Sequence, residues 1–120
     1  LLSTVKVYGR DAGLLLDEET PTTATDAYGQ SKAQAEGVAR AWGTRTGCRV
    51  TLLRLAPVVS TQLSGNLAGL QRAIRRGYYV QIGDGQNRRS LVRADDVAAI
   101  LPRAAEVGGT FNLNDGQHPT

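Results

Sequence analysis

A tyrosine and a lysine stand four residues apart in the stretch AYGQSKAQAE, at Tyr28 and Lys32. At about 100° per residue, both fall on one stripe of the helix that this stretch predicts, together with Val38 and Trp42. A phenol beside an ammonium group can take a proton from an alcohol, because the cation favours the phenolate. A tyrosine that packs normally beside a lysine whose stem extends to solvent would give the same pattern. Geometry alone leaves both interpretations open, and in both we expect this stripe to be the buried side of the helix.

Most other catalytic chemistries are excluded by the residue types present. Cys48 is the only cysteine and His118 the only histidine among the 120 residues. A disulfide, a zinc cluster or a Ser/His/Asp triad with an internal base is therefore not expected.

The composition also limits the partners. The net charge of +3 is mild, and no aromatic residues alternate with the arginines to stack bases. We therefore expect anionic small molecules and not nucleic acid. No apolar run approaches the roughly 20 residues of a membrane span, and no signal peptide is recognisable, so we expect a cytoplasmic protein that does not bind membranes. The chain begins with Leu1 directly in a strand-like pattern, which suggests a piece of a longer protein.

The order of predicted elements is typical of a layered α/β domain. Strands are predicted at 1–8, within 48–59 and at TFNLN; helices at 26–44, at 64–76 and in ADDVAAILPRAAE, ending or kinked near Pro102. Asp26 or Thr25 is the expected N-cap of the first helix, Gly47 its end, and Asp95 and Asp96 are expected to cap the third. A short hairpin is predicted between YYVQIG and RRSLV.

Several motifs, in order, resemble the extended branch of the short-chain dehydrogenase/reductase superfamily, the NAD-dependent sugar-nucleotide epimerases and dehydratases. AYGQSKAQAE is similar to its Tyr-Gly-x-Ser-Lys-x-x-x-Glu pattern, and STVKVYG lies upstream where that branch has Ser-Thr followed by Val-Tyr-Gly. RRSLVRADDVAAIL and TFNLNDG resemble later segments of the family. The resemblance implies the second half of a Rossmann-type doubly wound parallel sheet with the start of a small substrate-binding lobe.

The resemblance also implies roles for individual residues. Tyr28 would be the catalytic acid/base, Lys32 its partner that binds the nicotinamide ribose, and Thr4 the residue that hydrogen-bonds the reacting sugar hydroxyl. Ser3 and Pro57 would contact the NAD or NADP cofactor together with Tyr28 and Lys32. Arg89 would bind the nucleotide diphosphate, although a solvated charge, or Arg88 in the same role, fits equally well. Glu36 is interpreted most simply as a residue of the helix surface.

Three departures from the family pattern limit what it implies. The dinucleotide fingerprint is absent, since the only Gly-x-Gly, Gly83 to Gly85, is followed by Arg88 where the third glycine should stand. The loop after Arg54 lacks the family's Tyr-Gly-Pro-Gly. Val5 and Lys6 stand where dehydratases tend to have Asp-Glu, which disfavours dehydration.

The expected activity is epimerisation or keto reduction of a nucleotide sugar in the parent protein, with the isolated chain inactive. A non-catalytic, scaffolding member of the same fold is the alternative. Residues 1–62 are expected to form the catalytic half of the Rossmann fold, and 63–120 the start of the substrate lobe with the last Rossmann strand. Because the first strand would lie inside the sheet of the parent, we also expect self-association by strand pairing.

Overall fold

The chain is organised around a three-stranded parallel sheet. The computed structural model describes residues 1–9, 15–60, 65–78 and 90–116. The strands are β1 Leu2–Thr4, β2 Thr51–Leu55, β3 Val58–Val59, β4 Val92–Arg93 and β5 Gly109–Leu113. The sheet has the order β1-β2-β5, and β3 pairs with β4 separately. All three pairings are parallel, so the α/β class with a parallel sheet is confirmed.

Three helices connect and flank these strands, at α1 Ala27–Thr46, α2 Gly65–Arg75 and α3 Ala94–Val107. The predicted ends of α1 are confirmed, because Asp26 accepts a hydrogen bond from the amide of Gly29 at 2.9 Å and Gly47 ends the helix with φ of 71°. Helix α3 continues past Pro102. Its N-cap is Arg93, so the predicted capping role of Asp95 and Asp96 is wrong. Both lie in the first turn, where carboxylates complement the helix dipole.

The last predicted strand, TFNLN, matches β5 with an offset of one residue, whereas the first two predicted strands are longer than the observed ones. β1 ends at Thr4, and Val5–Tyr8 form a 3-10 helix that Thr4 caps by accepting a hydrogen bond from the amide of Lys6. The apolar run at 48–59 is divided into β2 and β3 around Pro57, whose fixed φ and missing N–H interrupt a strand. Most of the predicted hairpin lies outside the described residues. Its last part is β4, which pairs in parallel with β3.

Strand β2 lies at the centre of the sheet and is the most buried element. Its residues Thr51 to Arg54 are all buried, as expected of a parallel strand covered on both faces. The hydroxyl of Thr51 donates to the carbonyl of Ala104 at 2.6 Å and accepts from the amide of Gly108 at 2.9 Å, which holds the end of α3 against the sheet. A small apolar cluster lies beyond the other end of β2, formed by Ala56, Val92 and Val97.

The expected buried face of α1 is wrong. Tyr28 is 52% exposed, Val38 71% and Trp42 45%. The buried residues of the helix are instead Gly29, Glu36 and Gly43.

The two buried glycines explain how closely α1 approaches its neighbours. A Cβ at Gly29 would lie 2.6 Å from the Cβ of Ala24, and one at Gly43 would lie 2.6 Å from a methyl group of Val50. Because large apolar side chains define a hydrophobic stripe, the predicted stripe lies on a neighbouring face of this helix, rotated by about 100° from the buried residues.

No helix within the described ranges is long and apolar enough to cross a membrane. The division of the chain at residue 62 stays a prediction.

Candidate active site

The elements that carry three predicted catalytic residues, β1 with its following 3-10 helix and α1, contact one another. Ligands of open α/β sheets bind outside the carboxyl ends of the strands. Thr4 is the last residue of β1 and is partly exposed. The 3-10 helix that follows turns the chain away at Gly9, which has φ of 67°. A Cβ at Gly9 would lie 2.4 Å from the carbonyl oxygen of Thr23, so only glycine fits this turn beside the chain that leads into α1.

The first turns of α1 place Tyr28 beside the 3-10 helix after β1, and Lys32 beside Leu2 at the start of β1. The backbone of Gly29 packs against the carbonyl of Lys6, since a Cβ at Gly29 would come within 2.9 Å of that oxygen. The ammonium nitrogen of Lys6 lies 6.0 Å from the centroid of the Tyr28 ring. Lys32 is a half-buried residue, and its ammonium nitrogen donates to the carbonyl of Leu2 at 3.4 Å. Thr4, Tyr28 and Lys32 therefore belong to elements that contact one another.

A network of buried polar side chains lies next to these residues. Glu36 is 3% exposed and Arg54 also 3%. Oε1 of Glu36 accepts from Nε of Arg54 at 3.0 Å, and Oε2 accepts from Nη2 at 2.8 Å. The hydroxyl of Ser3 donates to Oε1 of Glu36 at 2.6 Å. The carboxylate of Glu36 is thus bound both by a residue of β1, Ser3, and by a residue of β2, Arg54.

The network continues through Arg54 to the far strand of the sheet. Its Nη1 donates to the hydroxyl of Tyr8 at 2.9 Å, and that hydroxyl donates to Oδ1 of Asn112 on β5 at 2.7 Å. The guanidinium also lies 4.8 Å from the centroid of the Tyr8 ring. The segment before α1 joins it, because the amide of Asn112 donates to Oε1 of Glu18 at 2.6 Å. We call Ser3, Tyr8, Glu36, Arg54 and Asn112 the buried network.

The electrostatics of the buried network favour the charged forms of both central groups. Burial alone would raise the pKa of Glu36, but hydrogen bonds from Arg54 and Ser3, with the charges of Arg54 and Arg40, outweigh it and lower that pKa. The hydrogen bond to Glu36 raises the pKa of Arg54 further against the opposing effect of burial. Among the described residues, no buried side-chain nitrogen or oxygen lacks a hydrogen-bond partner. The network is therefore complete without a bound molecule.

The remaining predicted site residues have different surroundings. Ser3 is buried and its hydroxyl donates to Glu36. Pro57 is exposed after β2, and its carbonyl accepts from the amide of Val92 at 3.2 Å. Arg89 and Arg88 lie outside the described residues. Cofactor and substrate roles for all of them stay predictions. In the described part of the chain, no group of three or more potential ligands is placed to hold a metal ion.

The interpretation of Glu36 as a surface residue is wrong. A signal for its burial was present in the sequence, because Arg54 stands within the apolar run TLLRLAP and a buried guanidinium requires a carboxylate or several acceptors. The spacing of Glu36 from Gly29 and Gly43, both seven residues away, also places all three on one helical face. Tyr8 and Asn112 carried no comparable signal.

Comparison with known proteins extends these observations. A model of the NAD dependent epimerase/dehydratase family matches residues 1–113. The dTDP-L-rhamnose 4-epimerase of Burkholderia thailandensis is 31% identical over 83% of this chain and 31% of its own length. The N-acetyl-alpha-D-glucosaminyl-diphospho-ditrans,octacis-undecaprenol 4-epimerase of Escherichia coli O157:H7 is 30% identical over 82% of this chain and 30% of its own. The chain therefore spans less than a third of each of these two relatives.

A solved structure gives the same result for the fold. The UDP-glucose 4-epimerase of Thermotoga maritima, determined with UDP-glucose, superposes with a TM-score of 0.78 at 28% identity. The alignment covers 99% of this chain and 42% of that structure. The parallel strand order and the helices described above thus recur in a longer protein.

Proposed function

The chain belongs to the NAD dependent epimerase/dehydratase family, and we propose that it supplies the acid/base part of an NAD(P)-dependent nucleotide-sugar epimerase. One observation carries the proposal: Tyr28 is exposed beside the 3-10 helix that follows β1, with Lys32 one turn further along α1. An exposed phenol in that position is accessible to a substrate hydroxyl.

The residues on this chain have separate tasks in the proposed reaction. Tyr28 takes the proton of a sugar hydroxyl and later returns it. Thr4 hydrogen-bonds the same hydroxyl, and Lys32 offers charged donors to the hydroxyls of the nicotinamide ribose. When bound, nicotinamide would accept the carbinol hydrogen as hydride, which no side chain can do.

The described residues are compatible with only one half of such a cofactor. The half-exposed Tyr28 and the ammonium of Lys32, held by one hydrogen bond of 3.4 Å, suit a ribose and a nicotinamide. The sequence contains no glycine-rich fingerprint for the pyrophosphate. We propose that further chain supplies it, and that the 120 residues alone neither bind NAD(P) tightly nor turn over substrate.

Epimerisation is favoured over the other reactions of the family. Val5 and Lys6 stand where a dehydratase is expected to have Asp-Glu, and the ammonium of Lys6 lies 6.0 Å from the centroid of the Tyr28 ring. The two relatives described above are both named 4-epimerases. One name gives a sugar linked to dTDP, and the other gives a sugar linked to a lipid diphosphate. A sugar diphosphate is the proposed substrate class, with a nucleotide as its carrier. Keto reduction with the same residues is the second candidate.

The proposal is tested with the full-length protein that contains this chain. Wild-type protein is incubated with NAD and UDP-glucose, UDP-N-acetylglucosamine or dTDP-L-rhamnose, and the epimer is detected by chromatography. Tyr28→Phe is expected to lower turnover about a hundredfold or more, the effect of losing a positioned acid/base. Tyr78→Phe is the matched control, because Tyr78 is 78% exposed in the turn after α2 and should have no effect.

Two outcomes would count against this function. Full activity in Tyr28→Phe would exclude the assigned base. Tight cofactor binding without conversion of any sugar diphosphate, in either direction, would favour the non-catalytic alternative.

A further inference from the structure

Glu36 connects the helix that bears Tyr28 and Lys32 to three strands. Its carboxylate accepts from Ser3 on β1 and, twice, from Arg54 on β2. Through Tyr8, the same guanidinium reaches Asn112 on β5. No other buried side chain of α1 is ionisable in the part of the chain that is described. Glu36 is therefore the one buried ionic connection between α1 and the sheet in the described part of the chain.

The connection is made close to the proposed reacting groups. Ser3 directly precedes Thr4. Glu36 follows Lys32 by one helical turn and Tyr28 by two, which at 1.5 Å per residue corresponds to about 6 Å and about 12 Å along the axis. A rotation or a slide of α1 that would move Tyr28 relative to Thr4 must break the bonds at Glu36.

The other buried residues of α1 fix its distance from the neighbouring chain more than its register. The buried residues on either side of Glu36 are Gly29 and Gly43, which have no side chains to interlock with the sheet. Small residues permit close approach but do not fix register. An ion pair with two parallel hydrogen bonds, in contrast, has one favourable geometry.

A role in stability alone is a weaker explanation. Apolar residues of similar volume often stabilise a fold as well as a buried ion pair or better, and the best-attested use of buried polar groups is to fix register. We propose that Glu36 is a positioning residue that, through Ser3 and Arg54, holds Tyr28 and Lys32 in register with Thr4. This inference rests on the function proposed above.

The first test is Glu36→Gln in the full-length protein, because glutamine keeps the shape and one acceptor oxygen but loses the charge. We expect turnover with a sugar diphosphate to fall about tenfold to a hundredfold, as for a displacement of about 1 Å, with KM changed by less than about twofold. Glu106→Gln, at an exposed position of α3, is the control. Unchanged turnover in Glu36→Gln would overturn the proposal.

A second variant separates position from stability. In the double variant Glu36→Leu with Arg54→Met, apolar side chains replace the buried ion pair. Its melting temperature should lie closer to that of the wild type than the melting temperature of Glu36→Gln does. Turnover is expected to stay low, because the register-setting bonds are still absent. Recovery of turnover together with the melting temperature would overturn the proposal and assign Glu36 a purely structural role.

A readout without activity distinguishes this inference from the proposed function. If wild-type protein converts no sugar diphosphate, the function fails, and amide hydrogen exchange then tests the positioning. In Glu36→Gln, exchange should accelerate at residues 30–34 of α1 more than at residues 97–104 of α3. Equal acceleration in both helices would indicate global destabilisation and would overturn the positioning role.

Discussion

Helix α1 contains two polar regions with opposite surroundings. Its first turns present Tyr28, half-exposed, and Lys32, which makes one hydrogen bond of 3.4 Å. One turn later, Glu36 is buried, and its carboxylate accepts hydrogen bonds from Ser3 on β1 and Arg54 on β2 and pairs with Arg40 of its own helix at 3.5 Å. The first region is accessible to a ligand and the second is already satisfied. With the proposed roles, variants in the first region should affect ligand binding and chemistry, and variants in the second should affect stability and the position of the helix.

The largest effect is expected from breaking the buried region. Arg54→Met leaves the carboxylate of Glu36 buried without its main partner, which should lower the free energy of unfolding by about 3–5 kcal/mol. Arg93→Met is the control, because Arg93 pairs with Asp95 at 3.4 Å and both side chains are largely exposed. It should cost about 0–1 kcal/mol. Denaturant unfolding of the full-length protein measures both, and similar losses in the two variants would contradict the comparison.

The exposed region should respond to Lys32→Met in ligand binding and not in stability. Methionine keeps the aliphatic stem, so the melting temperature should change little. The ribose hydroxyls of a bound cofactor would lose a charged donor, a loss of about 1.5–3 kcal/mol or about tenfold to a hundredfold in Kd. Titration of NAD into the full-length protein checks this. A large loss of stability with unaltered cofactor affinity would make Lys32 an ordinary packing residue.

The glycines of α1 sharpen the comparison between its two faces. Gly43→Ala places a Cβ 2.6 Å from a Val50 methyl group, and such overpacking should cost about 1–3 kcal/mol. Gly37→Ala is the matched control, because a Cβ added at Gly37 would meet no other part of the structure within 4 Å. Alanine there should stabilise the exposed helix face by about 0.5–1 kcal/mol. Thermal unfolding should therefore shift in opposite directions, and equal shifts would contradict the assigned faces.

The smallest effect is a pH dependence of stability in the buried region. The pKa of Glu36 lies below its ordinary value of 4.5 in the folded chain. A lowered carboxyl pKa contributes stability above the unfolded value, and that contribution disappears as pH falls through the folded value. The melting temperatures of wild type and Glu36→Gln should therefore differ near neutral pH and converge below about pH 4. A constant difference across this range would indicate that Glu36 does not titrate in this way.

Local sequence signals predicted much of the fold. The Asp26 N-cap and the Gly47 end bounded α1, the alternation of strands and helices predicted a layered α/β domain, and the family resemblance implied its parallel sheet. Tyr28 and Lys32 could be selected from their spacing on a predicted helix, and Thr4 from the family resemblance. Their roles stay proposals.

The buried network could not be predicted in the same way, because it joins residues far apart in the sequence. Tyr8 and Asn112, for example, are separated by 104 positions. Hydrophobic periodicity also could not predict the burial of Glu36, because the packing face of α1 carries glycines and large apolar side chains such as Val38 are exposed. Periodicity reports where hydrophobic residues are, and here they are not on the buried side.

A single-turnover experiment tests whether Tyr28 is the acid/base of a hydride-transferring site. Full-length protein with bound NAD is mixed rapidly with a sugar diphosphate that the wild type converts, and reduced nicotinamide is followed by its near-ultraviolet absorbance. If Tyr28 is this acid/base, the absorbance of reduced nicotinamide should rise transiently in wild type and in Tyr78→Phe. In Tyr28→Phe the same rise should be slowed about a hundredfold or more. An equally fast rise in Tyr28→Phe would contradict this role of Tyr28.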